Sequence, residues 1–276
     1  MCNAEADRRF RAYASAQGWD PDEPFVGGYV DWEWRHARHA YDGLVTSVRG
    51  KKVLEFGCHF GGTSVVLASL GARVEAVDVE RRYVELTRLN AERHGVGARV
   101  RARLVPDTTR LPFAGGEFDL VSCNSVLEYV PAGALDGVLR ELDRVLAPGG
   151  YVVILGTSNR LWPYEPHTHR WLTNYVPPAL YRLLSAGPPR VGVSPWRLRG
   201  GFGDRYLDLT SCEGGRLLVD LKAKMGASPG RLRALGAANR LLLPLGAHAG
   251  LVTPTITMVL QKRADAGPSA ADARAA

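Results

Sequence analysis

Val53-Leu54-Glu55-Phe56-Gly57-Cys58-His59-Phe60-Gly61-Gly62-Thr63 decides how the rest of this chain is read. A short apolar run ends in a glycine-rich turn, and a helical pattern opens directly after it at residues 63–70. Glycines let bare backbone approach a ligand, and the helix that follows sets its positive end beside that approach. Such a loop is also common punctuation between a strand and a helix. A second feature narrows the choice. Asp78 closes the next apolar run, 74–78, about twenty residues past the turn, where a carboxylate accepts hydrogen bonds from both hydroxyls of a ribose. Taken alone, Asp78 also suits capping of the helix that follows.

Outward from this pair, short apolar runs alternate with helical patterns. Runs at 53–56 and 74–78 are each followed by a helix, at 63–70 and 82–94, and further runs lie at 100–105, 118–123 and 151–155. The last is preceded by a helix at 134–146 and by Ala147-Pro148-Gly149-Gly150, which stops that helix and turns the chain. This rhythm predicts an α/β protein: a doubly wound, mostly parallel sheet with helices on both faces. Residues 1–50 read as a helical cap with a break at Asp20-Pro21-Asp22-Glu23-Pro24, and 51–156 as the core. Residues 157–209, rich in Pro, Gly and aromatics, read as an insertion after the fifth strand that forms part of an acceptor pocket. Residues 210–263 complete the core, with Thr210-Ser211-Cys212-Glu213 spaced as a capping box for a helix at 215–225 and a final strand at 255–261. Residues 264–276 read as a disordered tail.

Composition bounds the function classes. The 276 residues are 46% hydrophobic and 23% charged, as in an ordinary globular protein, and their net charge of +7 is spread without any block of like charges. A nucleic-acid groove is therefore not the expected reading. Cys2, Cys58, Cys123 and Cys212 form no C-x-x-C pair, so neither a zinc site nor a disulfide framework is indicated. With no basic-then-apolar leader and no uncharged run of spanning length, the expectation is a cytoplasmic protein without membrane or nucleic-acid partners.

The span from 51 to 156 resembles the class I S-adenosylmethionine-dependent methyltransferases. The residues that carry the likeness are Glu55-x-Gly57-x-x-x-Gly61, Asp78, Asp107-Thr108-Thr109-Arg110-Leu111-Pro112-Phe113 ahead of Phe118-Asp119-Leu120-Val121, and Leu142-Asp143-Arg144-Val145-Leu146-Ala147-Pro148-Gly149-Gly150. The resemblance implies a sheet of the seven-stranded type and S-adenosyl-L-methionine as cofactor. It places Glu55, Gly57, His59 and Gly61 around the methionine portion, Asp78 on the ribose with Val79 beside it, Asp107 and Thr108 at the adenine, and Asn124 facing the methyl donor. His59 departs from the family, which usually has glycine there. That position needs a backbone conformation His tolerates better than a β-branched residue. The same residue speaks against a nicotinamide dehydrogenase, whose G-x-G-x-x-G requires glycine at 59.

Methyl transfer is an in-line displacement that needs alignment and exclusion of water, with a base where the acceptor is a phenol or alcohol. His167 is the first candidate base, because imidazole titrates near neutrality, and Glu165 the second. Tyr29, Trp34, Glu128, Trp162, Tyr164 and His169 are the candidate acceptor-binding residues, since aromatic side chains concentrate in the cap and the insertion; for any single ring, packing between lid and core is the simpler reading. His36 and His39, three apart, present one helical face, more simply a solvated face than a metal pair. No ligand cluster of metal-binding spacing is present in the sequence. The expected activity is methylation of a small molecule, with oxygen preferred on family frequency and a secondary metabolite, sugar or quinone-like ring as substrate. N- or C-methylation and a non-methylating cofactor-binding protein stay open as alternatives, and a homodimer is allowed.

Overall fold

The computed structural model describes residues 4–42, 47–165, 169–176, 180 and 191–264. The first helices are α1 (Ala4–Ala16), α2 (Tyr29–Arg35) and α3 (Arg38–Tyr41). The core then runs β1 (Lys52–Phe56), α4 (Gly62–Ser69), β2 (Arg73–Asp78), α5 (Arg81–Arg93), β3 (Val100–Leu104), β4 (Phe118–Asn124), α6 (Leu135–Val145) and β5 (Leu146–Ser158). After it come the small strands β6 (Tyr164–Glu165) and β7 (Arg170–Trp171), then α7 (Pro195–Phe202), β8 (Tyr206–Asp208), α8 (Arg216–Lys224), α9 (Pro229–Leu242) and β9 (Thr255–Lys262).

The main sheet has seven strands in the order β3-β2-β1-β4-β5-β9-β8. The pairs β3-β2, β2-β1, β1-β4 and β4-β5 are parallel, while β9 runs antiparallel to both β5 and β8. This is the doubly wound sheet the alternating pattern predicts. Central strands are buried on both faces, and the two faces feed different cores. Leu54, Val121 and Val152 join Leu139 and Leu142 of α6 on one side. Val53, Leu120 and Val153 join Val65 and Leu67 of α4 on the other. Helix α6 buries Leu135, Val138, Leu139, Leu142 and Val145, the recurrence of an amphipathic helix on a sheet.

Three local expectations are corrected. Thr210 and Glu213 form no capping box: α8 begins at Arg216 with Gly215 at its N-cap and no side-chain cap, while Thr210 Oγ1 donates to Asp208 and accepts from the Val259 amide. The sheet offered Thr210 a buried partner that the helix end did not. Residues 147–150 do not stand outside the sheet as a turn but bulge within β5, which starts at Leu146 against Phe118 and resumes pairing at Tyr151 against Leu120. The stretch assigned to the insertion also supplies β8, which pairs with β9 and completes the sheet.

The cap is built as separate helices. Phe10 and Ala14 of α1 pack with Leu86 and Leu89 of α5 and with Phe60 of the glycine turn. His36 ends α2 and Arg38 starts α3, so His36 and His39 do not share a helix; the His36 ring instead bonds Trp32 O. The tail beyond 264 lies outside the described residues. Phe118, fully buried and edge-on to Phe113 with centroids 4.9 Å apart, anchors the α6 side of the sheet. Phe118→Ala is expected to lower unfolding stability by about 3–5 kcal/mol, measured by urea titration.

Candidate active site

The glycine turn stands at the carboxyl end of β1, between the carboxyl ends of β2 and β4, where open α/β sheets bind ligands. Gly57 and Gly61 both have positive φ, +79° and +77°. At Gly57 a Cβ would come within 2.2 Å of a Val126 methyl, and at Gly61 within 2.8 Å of Thr87 Cα. Both positions therefore demand glycine twice over, by backbone angle and by space. His59 also lies in the left-handed region, at φ +47°. It thus keeps the loop shape that a glycine would give, and its ring lies against Phe60 and Tyr83, with centroids 3.9 and 4.5 Å away.

That conformation aims the His59 amide at Asp78. Asp78 Oδ2 accepts from His59 N at 3.0 Å and Oδ1 from Glu80 N at 3.1 Å, and the residue is only 9% exposed. Burial raises the Asp78 carboxyl above its usual range, and the backbone donors oppose the rise. The alternative use of Asp78 as cap is met in part by the bond to Glu80 N, yet with the His59, Glu80 and Val79 amides acting on it the carboxylate keeps acceptor capacity. Helix α5 fastens the turn from behind: Thr87 Oγ1 donates to His59 O and Asn90 Nδ2 to Phe60 O. Neither residue was singled out from the sequence. Their signal was polar side chains on the buried face of an amphipathic helix.

A buried acidic cluster lies next to the turn. Glu55, at the end of β1, accepts from Ser64 Oγ of α4. Glu33 of α2 is fully buried, accepts from Asn124 Nδ2 at 2.9 Å through Oε1, and leaves Oε2 without a hydrogen-bond partner. Asn124 Nδ2 also reaches Thr63 Oγ1, at 3.1 Å, and Tyr41 shares a buried hydrogen bond with Ser122. Burial pushes the Glu33 carboxyl up to about 7 and the Glu55 carboxyl up to about 8. No cation is among the groups acting most strongly on either one. Glu33 escaped the sequence reading, although a lone acid between Trp32 and Trp34 in a cap helix was a visible anomaly.

The remaining candidates divide. Val79 is 52% exposed beside Asp78, an open apolar face. Asp107 is exposed, with Oδ1 accepting from both the amide and the hydroxyl of Thr109; Thr108 stands between them, half-buried. Tyr29 and Glu33 lie directly over the start of α4, since a Cβ on Gly62 would come within 2.5 Å of the Tyr29 ring. Trp34 faces outward beneath the Arg38 guanidinium, 5.0 Å from its ring centre, and is not gathered into the cluster. At the end of β5, Ser158 N donates to Glu128 Oε1, and Ser158 Oγ donates to Glu165, which is 2% exposed. Tyr164 OH and His169 Nδ1 are 2.7 Å apart on the outer side of the insertion, and Trp162 is partly exposed. His167 lies outside the described residues. Among the described residues, no group of His, Cys, Asp and Glu is arranged to hold a metal, and no helix is long and apolar enough to cross a membrane.

The donor set suits one kind of ligand. A turn with two glycines at positive φ, a buried carboxylate bonded to backbone amides, and two further buried carboxyls with no cation among their strongest influences suit a nucleoside bearing positive charge. Without such a ligand, Glu33 and Glu55 hold their protons more tightly in the folded chain than in the unfolded one. The stability this contributes is complete below the ordinary carboxyl range near 4.5 and is lost as pH rises through about 7 and 8. The ligand-free protein is therefore expected to melt a few degrees lower at pH 9 than at pH 6.5, and a Glu33→Gln/Glu55→Gln variant to show a smaller drop in calorimetric scans.

Comparison with known proteins agrees with this geometry. Residues 53–150 match the family described as a methyltransferase domain. The chain is 29% identical over 217 residues to a protein of Bordetella avium named ubiquinone biosynthesis O-methyltransferase, covering 71% of this chain and 83% of the relative. It is 35% identical over 133 residues to one of the same name from Psychrobacter arcticus, spanning 48% of each chain. Among solved structures, the YcgJ protein of Bacillus subtilis shares the fold with a TM-score of 0.50 and 17% identity, over 86% of this chain and 99% of that one. Residues 53–150 thus form a methyltransferase domain, and the sheet order and the glycine turn braced on Asp78 agree with one that depends on S-adenosylmethionine.

Proposed function

We propose that this protein transfers a methyl group from S-adenosyl-L-methionine to an oxygen of a small, hydroxylated, quinone-like acceptor. The reading is carried by one observation, the order of groups along the carboxyl edge of the sheet. Asp78, the Gly57 turn, Asn124 and then the Glu128-Ser158-Glu165 chain occupy the ends of β2, β1, β4 and β5, which are adjacent strands. Cofactor groups and acceptor groups thus meet at Asn124. The name shared by the relatives supports a quinone-type substrate and oxygen as the methylated atom.

In this reading Asp78 holds the ribose hydroxyls with the lone pairs its backbone donors leave free, and the loop amides around Gly57 and Gly61 face the methionine portion. Val79 covers one face of the adenine, and Asp107 with Thr108 reaches its edge. The bound cofactor supplies a sulfonium methyl as electrophile. For the acceptor oxygen to serve as the nucleophile, its hydroxyl proton would pass to a base of the protein. His167 is that base in our assignment, by imidazole chemistry and by its place just after β5. Glu165, buried and bonded to Ser158, acts as an anchor that fixes the start of the insertion. Tyr29 and Trp162 border the acceptor, Glu128 orients the end of β5, and the exposed Tyr164–His169 pair stands at the outer edge of the pocket. Trp34, turned outward under Arg38, contributes to packing of the cap.

The test is incubation of the purified protein with methyl-labelled S-adenosylmethionine and a panel of catechols, hydroquinones, amines and sugars, reading the labelled product by mass spectrometry. Label on a ring oxygen is the expected outcome; label only on nitrogen or carbon overturns the oxygen assignment. Asp78→Ala is expected to weaken cofactor binding at least tenfold in calorimetry, since a charge-assisted contact to the ribose is worth about 1.5–3 kcal/mol. His167→Ala is expected to lower kcat about 10²- to 10⁴-fold with cofactor affinity unchanged, and to remove the near-neutral limb of the pH-rate profile.

A further inference from the structure

Helix α2 lies outside the matched domain, yet it contributes the most deeply buried acid of the site. Glu33 has no exposed surface, and one of its carboxyl oxygens has no hydrogen-bond donor. The other is taken by Asn124, at the end of β4 where the methyl donor would stand. A Cβ on Gly62 would come within 3.1 Å of Glu33 Cγ, so the acid sits directly on the first residue of α4. Around it lie Tyr29 on the same helix, Tyr41 on α3, Glu55 on β1, Thr63 on α4 and Asn124 on β4, and the hydroxyls of Tyr29 and Thr63 act on its carboxyl together with Asn124. All are acidic or neutral. A buried carboxyl oxygen without a donor is costly and is rarely left so in a folded protein.

From this arrangement we infer that Glu33 is a cofactor-binding residue, its free oxygen accepting a hydrogen bond from the α-ammonium of the methionine portion. The inference rests on the methyltransferase reading and extends it to a residue of the cap. The missing partner must be a donor, which excludes the sulfonium: it carries charge but no N–H. It must also be cationic to balance two neighbouring acids, which excludes a ribose hydroxyl. An ammonium satisfies both demands. Glu55 stands behind it as the second counter-charge, and Asn124 and Thr63 hold the Glu33 carboxyl in the required orientation. The proton that Glu33 carries without ligand leaves as the ammonium arrives. The cap helix thereby becomes one wall of the cofactor site rather than a cover over it.

The test compares three ligands on the full-length protein by calorimetry at pH 8. S-adenosylmethionine has both cations, S-adenosylhomocysteine keeps only the ammonium, and methylthioadenosine lacks the amino-acid portion. Glu33→Gln, which keeps the shape and the bond to Asn124, is expected to weaken the first two about tenfold or more, at least about 1.4 kcal/mol, and the third less than about twofold. Equal weakening of all three, or of none, would overturn the assignment. A second measurement needs no variant. Wild-type protein titrated at pH 7 in buffers of different ionisation enthalpy should release more protons with S-adenosylhomocysteine than with methylthioadenosine; equal release refutes the proposal. Failure of the wild type to bind any of the three would instead refute the methyltransferase reading itself, and this proposal with it.

Discussion

The hydrogen bond from the His59 amide to the Asp78 carboxylate holds the site together. It joins the turn after β1 to the end of β2, and it exists because His59 adopts a left-handed backbone conformation. Glycine would enter that conformation freely, whereas histidine pays a small steric penalty that the bond to Asp78 and ring contacts with Phe60 and Tyr83 offset. The departure from the family pattern at residue 59 therefore changes the side chain on the loop and leaves its course intact. Thr87 and Asn90 complete the brace by binding the carbonyls of the same turn, so that its backbone is held from two directions.

The chemistry of the site follows from burial acting on carboxyl groups. Glu33, Glu55 and Asp78 all hold their protons more tightly than in water, with desolvation as the leading cause in each case. Carboxyls kept in this state by burial, against the opposing hydrogen bonds from Asn124 and Ser64, favour a positive partner, because a cation restores the ionised form that solvent would have favoured. Asp78 differs from the other two in having backbone donors, which hold it nearer its usual range and suit it to neutral hydroxyls. One physical effect, graded by the donors available to each oxygen, thus sets Asp78 apart from Glu33 and Glu55.

The insertion after β5 is held to this cleft by polar bonds. Ser158 binds both Glu128 and Glu165 and so ties the strand end to the short strand β6 and to the segment after β4. Farther out, Asn159 and Asn174 bond the backbone of neighbouring loops, and Trp171, Leu172 and Tyr175 remain exposed. Buried amides fixing irregular backbone are what such a segment requires, since it has no ladder to satisfy its own groups. The result is a root tied by polar bonds, with apolar side chains at its surface.

The sequence by itself determined the alternation of strands and helices, the glycine turn and Asp78, because period, turn chemistry and spacing along β1, α4 and β2 are local properties. It also marked His59 as the irregular position and the region after β5 as different from the core. Tertiary structure alone decided that Glu33 meets Asn124, that Thr87 and Asn90 hold the turn, that Thr210 serves the sheet instead of a helix cap, and that β8 closes the sheet. Glu33 and Asn124 are 91 positions apart, and Thr210 and Val259 are 49. A sequence pattern says which face of an element is apolar; which polar side chain will cross to which neighbour depends on how those faces are stacked, and that is settled only when the two cores close around the sheet.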